Sequence, residues 1–257
     1  MSELLSEKIL EISGIRKIYK ETEVLKNIDF FVNKGEFLSI LGSSGCGKTT
    51  LLRILIGLLK PDSGTIIKDG TDITEARPDK RGMGIVFQNY ALFENMSVLK
   101  NVEYALKVHK ETKDTAREVA MQMIEAVGLT EHINKMPRAL SGGQQQRVAI
   151  ARTLAVKPDI ILFDEPMSAL DVSTRILLRK ELKKIQSDFG TTMIYVTHDQ
   201  EEAFALSDRI MIMHSGNICQ IDTPENICKN PADDYVQTFV LDNLQAKIDS
   251  LSKYATK

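Results

Sequence analysis

Between about Ile9 and Ile67, apolar and polar positions alternate over short runs. ILEISGIRKIY, VLKNIDFFV, EFLSILG and GTIIKDG each read as a strand. Turn signals part them, notably Asn33-Lys34-Gly35 and Pro61-Asp62-Ser63-Gly64. Thr50 to Leu59 is apolar at helical spacing, and Pro61 stops it. GIVFQ, Gly84 to Gln88, reads as a further strand. From Asn95 to Val127 long helical periodicities take over, for example through Ala116, Val119, Met123, Ile124 and Val127. IILFDEP (Ile160 to Pro166) and MIYVTHD (Met193 to Asp199) then alternate with helical segments at Thr174 to Ser187 and Gln200 to Ser207. That alternation predicts a parallel sheet covered by helices. RIMIMHSGNICQI predicts a hairpin turning at His214 to Asn217. In the tail, Leu241, Leu244, Ile248 and Leu251 lie along one weakly amphipathic face. No internal repeat or low-complexity tract interrupts the pattern.

With 257 residues the chain can bury a sizeable core in one large domain or two small ones. Its 33 Lys and Arg against 35 Asp and Glu give a net charge of −2, so bulk charge argues for neither nucleic acid nor anionic lipid. Cys46, Cys219 and Cys228 form no CxxC pair and no metal-spaced cluster, as expected of free thiols in a reducing compartment. The start, MSELLSEKILEIS, is acidic and is not expected to be a signal peptide. The longest apolar stretches, such as Ile160 to Phe163, are strand-sized and too short to cross a bilayer, so any membrane role is expected to be peripheral.

The chemistry begins at Gly42-Ser43-Ser44-Gly45-Cys46-Gly47-Lys48-Thr49, which matches G-x-x-x-x-G-K-[ST] between a strand and a helix. Glycines let backbone N–H groups converge on phosphate oxygens, and the helix N-terminus behind them adds a favourable dipole. Lys48 is expected to reach the β- and γ-phosphates of a nucleoside triphosphate and Thr49 to bind Mg²⁺. Cys46 is a small filler in the loop. The apolar run Ile160 to Phe163 ends in Asp164 and Glu165. Asp164 stands where a carboxylate would hold Mg²⁺, and Glu165 could polarise an attacking water as general base. Taken alone, such a pair also commonly ends a strand facing solvent.

Leu140-Ser141-Gly142-Gly143-Gln144 opens LSGGQQQRVAIARTLA. With these motifs the chain resembles the ATP-binding cassette (ABC) family, over about Ile9 to Val240. The implied fold is α/β: a P-loop NTPase cassette with a RecA-like parallel-sheet core, an N-terminal antiparallel β-subdomain and a helical subdomain. The expected organisation is a cassette over 1–240, with the helical subdomain inserted at about 89–157, and a weakly helical tail over 241–257. Ser141, Gly142 and Gly143 lie just before a helical run, forming a second phosphate-accepting helix N-terminus. One nucleotide needs one cradle, so the second implies two chains sharing each ATP.

The resemblance carries further residues over one by one. Tyr19 fits the aromatic that stacks on adenine, though a strand tyrosine is the plainer alternative. Gln88 fits the glutamine touching Mg²⁺ and the attacking water. Asp171 in SALD fits the loop crossing the dimer interface, and His198 in VTHD the γ-phosphate-sensing histidine. Each site would then draw Tyr19, Gly42 to Thr50, Gln88, Asp164, Glu165 and His198 from one chain. The partner would add Ser141, Gly142, Gly143, Gln144 and Asp171. Thr49, Gln88 and Asp164 would hold the metal, and Lys48, Gln88, Glu165 and His198 would carry the chemistry.

The resemblance implies a head-to-tail dimer on the cytoplasmic face of the cell membrane. Permease subunits would sit above it, a solute-binding protein would act indirectly, and no nucleic acid would take part. A helical stretch beginning at Asn89 is expected to form the permease-docking groove through exposed Tyr90, Leu92 and Phe93; packing of these residues inside the subdomain is the equal alternative. YVTHDQEEAFALSDRIMIM and DTPENICKNPADDYVQTFV resemble bacterial importers for iron(III), polyamines, sulfate, sugars or phosphonates such as 2-aminoethylphosphonate. Many of that group carry a C-terminal regulatory β-domain, which is not expected here. A soluble ABC ATPase of DNA repair or translation is the alternative function.

Overall fold

The computed structural model describes residues 7–108 and 113–255. In chain order its first elements are β1 (Lys8–Tyr19), β2 (Thr22–Asn33), β3 (Phe37–Gly42), α1 (Lys48–Leu55), β4 (Ser63–Lys68), β5 (Thr71–Asp72) and β6 (Met83–Val86). There follow α2 (Val98–Val108), α3 (Ala116–Ala126), α4 (Gly142–Ala155), β7 (Ile160–Asp164), α5 (Val172–Phe189), β8 (Thr192–Thr197) and α6 (Gln200–Leu206). The chain closes with β9 (Arg209–His214), β10 (Asn217–Asp222), α7 (Pro224–Lys229), α8 (Asp234–Val236) and α9 (Asn243–Ala255). Two compact units result: one runs to Arg81 and resumes at Thr192, the other is Gly82–Thr191. The first six residues, on which the leader reading partly rests, lie outside the described residues.

In the first unit, β2, β1, β4 and β5 form an antiparallel sheet in that order. Alternation decides its faces: Ile28, Phe30 and Val32 are buried on β2 while Phe31 between them is exposed. β3 is different, with all six residues buried. It runs parallel to β8 on one side, Phe37 opposite Met193, and to β9 on the other, Gly42 opposite Met213. A strand buried on both faces reads as a continuous apolar run. β9 and β10 make the expected hairpin, turning through Ser215 and Gly216 at φ 47° and 83°. Two successive positive φ values suit the right-handed twist of the strands.

Leu41, Ala203, Ile210, Ile212, Ile227, Val236 and Val240 form one buried cluster of this unit, against which Leu241 and Leu244 pack. The tail's apolar face is therefore used at its start. Ile248, farther along, is exposed, and the Leu251 side chain lies outside the described ones.

In the second unit β6 runs parallel to β7, Met83 opposite Ile160 and Val86 opposite Phe163. Helices α2, α3 and α4 pack on one another, burying Val102, Leu106, Ala120, Ile124, Val148 and Ala151. One expectation fails here. The stretch beginning at Asn89 is a series of turns, and helix starts only at Val98. Side chains supply the hydrogen bonds a helix would have made. Asn101, fully buried, accepts from Phe93 N–H at 2.9 Å and donates to the carbonyls of Phe93, Met96 and Ser97. Arg152 donates to the carbonyls of Tyr90 and Ala91 at 2.9 and 2.6 Å, where φ is 60° and 46°. Of the two alternatives for this stretch, Tyr90 takes the packed one, being buried, while Leu92 and Phe93 are half-buried.

Candidate nucleotide site

The phosphate loop grows directly from the buried end of β3. Gly42 closes the strand, Gly45 and Gly47 take φ 82° and 108°, and Gly47 is the N-cap of α1 with no side-chain cap. The first amides of that helix are the donors an anion would meet. Glycine is forced at two of these positions. A Cβ on Gly42 would lie 2.4 Å from the Met213 carbonyl oxygen, and one on Gly47 2.9 Å from that of Val24. Lys48 is buried, its Nζ donating to the carbonyls of Gly42 at 2.8 Å and Ser43 at 3.0 Å. The ammonium therefore already lies over the loop it would share with phosphates. Cys46 is buried and its carbonyl accepts Gly216 N–H at 3.1 Å, while the Gly216 carbonyl accepts Lys26 N–H at 2.8 Å. Ser44 and Gly45 are exposed, and Ser43, Thr49 and Thr50 half-buried.

Around the loop, the Tyr235 ring packs tilted against His214, 3.9 Å between centroids, and stacks on Phe239 at 5.2 Å. Burial raises the pKa of its hydroxyl, and Ser43 of the loop acts the other way. Tyr19 ends β1 with 44% of its surface exposed and the Lys17 Nζ 5.7 Å from its ring centroid. Such a ring is open to stacking. His198 is exposed, between buried Thr197 at the end of β8 and Asp199, the N-cap of α6.

In the second unit, β7 delivers Asp164, 9% exposed, from a strand whose five residues are all buried. Glu165 follows at φ 44°, a left-handed conformation that costs a non-glycine residue about 1–3 kcal/mol and collects at functional sites. Ser168 holds it: its hydroxyl donates to the Glu165 carbonyl at 2.9 Å and accepts from Gln88 Nε2 at 3.1 Å. Gln88 and Glu165, far apart in sequence, are thus joined through one serine. Ser168 opens the SALD segment that carries Asp171, and the motif alone does not mark it for this contact.

The signature segment is a capping box. Ser141 caps α4, its hydroxyl accepting from Gln144 N–H at 3.3 Å while Gln144 Oε1 accepts from Ser141 N–H at 3.0 Å. With those two donors engaged, the amides at this helix start that would meet an anion are those of Gly142 and Gly143. A Cβ on Gly143 would lie 2.7 Å from Thr174 Cγ2, so the start of α5 approaches closely. Asp171 caps α5. The Ser173 hydroxyl, then the Thr174 N–H and hydroxyl, hold its carboxyl well below the usual carboxylate range. Ser141, Gly143, Gln144, Arg147, Ser173 and Thr174 line a hollow of about 270 Å³. Two helix N-termini and an arginine around one hollow suit an anionic ligand.

Comparison with known proteins bears on family and fold. The ABC transporter family profile matches residues 25–168, more than half of the chain. A spermidine/putrescine import ATP-binding protein PotA of Nitratidesulfovibrio vulgaris is 47% identical over 91% of this chain and 64% of its own length. The PotA of Mycoplasma capricolum is 46% identical over 92% of this chain and 67% of its own. The chain thus spans about two thirds of the length of these relatives. Among solved structures, cbiO1 from Clostridium perfringens, part of the ABC transporter complex cbiONQ, aligns with TM-score 0.82 at 29% identity over 95% of this chain and 99% of its own. A bacterial ABC transporter cassette solved as a dimer aligns with TM-score 0.74 at 34% identity, over 84% of this chain and 98% of its own.

Proposed function

We propose, from the premise that this chain belongs to the ABC transporter family, that it is the ATP-binding and ATP-hydrolysing subunit of a bacterial importer. One observation carries the reading: a single chain holds both a glycine-built phosphate loop ahead of α1 and a second anion-accepting helix start, Ser141 to Gln144, in its other unit. Each cradle then serves a different ATP, in a head-to-tail pair of chains.

In that pair the Gly42–Thr50 amides take the phosphates, and Lys48 exchanges the Gly42 and Ser43 carbonyls for β- and γ-phosphate oxygens. Tyr19 stacks on adenine. The Thr49 hydroxyl, the Gln88 amide oxygen and the Asp164 carboxylate are hard oxygen donors of the kind Mg²⁺ takes, usually with one or two carboxylates beside substrate phosphates. Bound there, Mg²⁺ would neutralise charge developing on the transferred phosphoryl group. Glu165 takes the proton of the attacking water, and His198 meets the γ-phosphate. The second copy adds Ser141, Gly142, Gly143, Gln144 and Asp171 and closes water out.

Among the described residues no helix is long and apolar enough to cross a membrane. On the importer reading the subunit works as a peripheral partner of permease subunits on the cytoplasmic face, a role supported by the relatives' description as import ATP-binding proteins. Of the cargo classes open to it, a polyamine is favoured by the relatives' names. Glu165→Gln tests the core of the proposal. It is expected to lower steady-state hydrolysis by about 10²-fold or more, while ATP binding persists and ATP shifts the protein to a dimer on size exclusion. Undiminished turnover would remove Glu165 as base.

A further inference from the structure

Beside the turn that joins β8 to α6 lies a buried carboxyl group that the proposed reaction does not use. Glu202 is 4% exposed, in the first turn of α6. Its Oε2 accepts the Tyr195 hydroxyl at 2.8 Å and the Thr197 hydroxyl at 2.8 Å. Thr197 Oγ1 in turn accepts Asp199 N–H at 3.0 Å. The order of donors matters. A hydroxyl has one proton, and Glu202 claims the one on Thr197, which leaves the Thr197 lone pairs facing the Asp199 amide. Asp199 N–H, Thr197 O–H and Glu202 therefore form a one-way relay. Its two members Thr197 and Asp199 are the neighbours of His198 on either side. The Asp199 side chain finishes the bracket by accepting Glu201 N–H at 2.8 Å.

A carboxyl group is costly to bury unless its polar atoms are hydrogen-bonded, and this one accepts two hydroxyls on a single oxygen. Packing alone would be served by an apolar residue. We infer that Glu202 is a positioning residue: it fixes the Thr197–Asp199 turn and so sets the direction in which His198 is presented to the γ-phosphate. The inference rests on the proposed role of His198.

A double-mutant cycle in the full-length chain with Mg²⁺ and ATP tests it. Glu202→Ala is expected to lower kcat by about 10- to 100-fold, the size of effect a small misplacement of a reacting group produces, while KM for ATP stays within about 2-fold. In a His198→Ala background the same change should cost less than about 2-fold further, because its route of action is already gone. Glu202→Gln, which keeps an oxygen acceptor for both hydroxyls, should restore most of the turnover. Thr197→Val removes the relay hydroxyl at nearly constant shape and should reproduce the loss of kcat even if Glu202→Ala folds poorly. Losses that multiply in the cycle, or a Thr197→Val variant with undiminished turnover, would overturn the positioning role. A His198→Ala variant with full activity would instead overturn the role given to His198, and this inference with it.

Discussion

Arg81 lies behind the helix of the phosphate loop, 3% exposed, with its guanidinium on four carbonyl oxygens: Ile54, Leu55, Thr74 and Ala76. Two of these, Ile54 and Leu55, are carbonyls of the last turn of α1, and Arg81 closes that turn together with Gly57 N–H, which donates to Ile54 at 3.1 Å. Gly57 makes room, since a Cβ there would lie 2.6 Å from Arg81 Nε. Burial lowers the Arg81 pKa from its ordinary value, but arginine remains protonated at any physiological pH. Lysine cannot reproduce a planar fork that reaches four acceptors. Arg81→Lys should cost about 2–3 kcal/mol in urea unfolding, from carbonyls left buried and unpaired. Lys48, Asp164 and Glu165 were legible because their chemistry sits in contiguous motifs. Arg81, Ser168 and Glu202 were not, since each draws its meaning from partners that only folding brings near. Ser168, for example, reads as a turn residue until Gln88, 80 positions away, meets its hydroxyl.

Among the elements, α4 shows how a cap and a proposed ligand site can share one helix start. Ser141→Ala removes the hydroxyl that accepts Gln144 N–H and should lower stability by about 1 kcal/mol, measured by thermal or chemical unfolding without nucleotide. A change well below that would mean Gln144 alone secures the start. Strands were read well from pattern. β1 and β2 show period-two burial, and β3 shows continuous burial. Helix limits were less legible. α1 ends at Leu55, short of the expected Leu59, because Gly57 turns to φ 85° and the last carbonyls accept from Arg81. The turns after Gln88 escaped for a related reason: Asn101 and Arg152 satisfy that backbone from other elements. Local periodicity carries no trace of such long-range donors.

At the scale of the whole molecule, motif order along the chain made the family legible, and the family profile and relatives agree. The cargo was not legible, for a physical reason. No side chain in the phosphate loop or the signature segment has any cause to touch a transported solute. On the proposed reading the chain carries chemistry on ATP, and selection of a solute would fall to partner subunits.

Gly216 sits at the tip of the β9–β10 hairpin, yet its N–H is bonded to the phosphate-loop carbonyl of Cys46 and its carbonyl to Lys26 of β2. Amides at hairpin tips ordinarily exchange with solvent quickly, because they open without any larger unfolding. This one can exchange only when the phosphate loop lets go. In hydrogen–deuterium exchange read by NMR, Gly216 should exchange more slowly than Ser215 beside it, and more slowly still once ATP is added. Equal rates at the two positions would show the loop opening independently of the hairpin. The candidate nucleotide site thus carries its own spectroscopic reporter, one proton whose lifetime records how long the cradle stays shut.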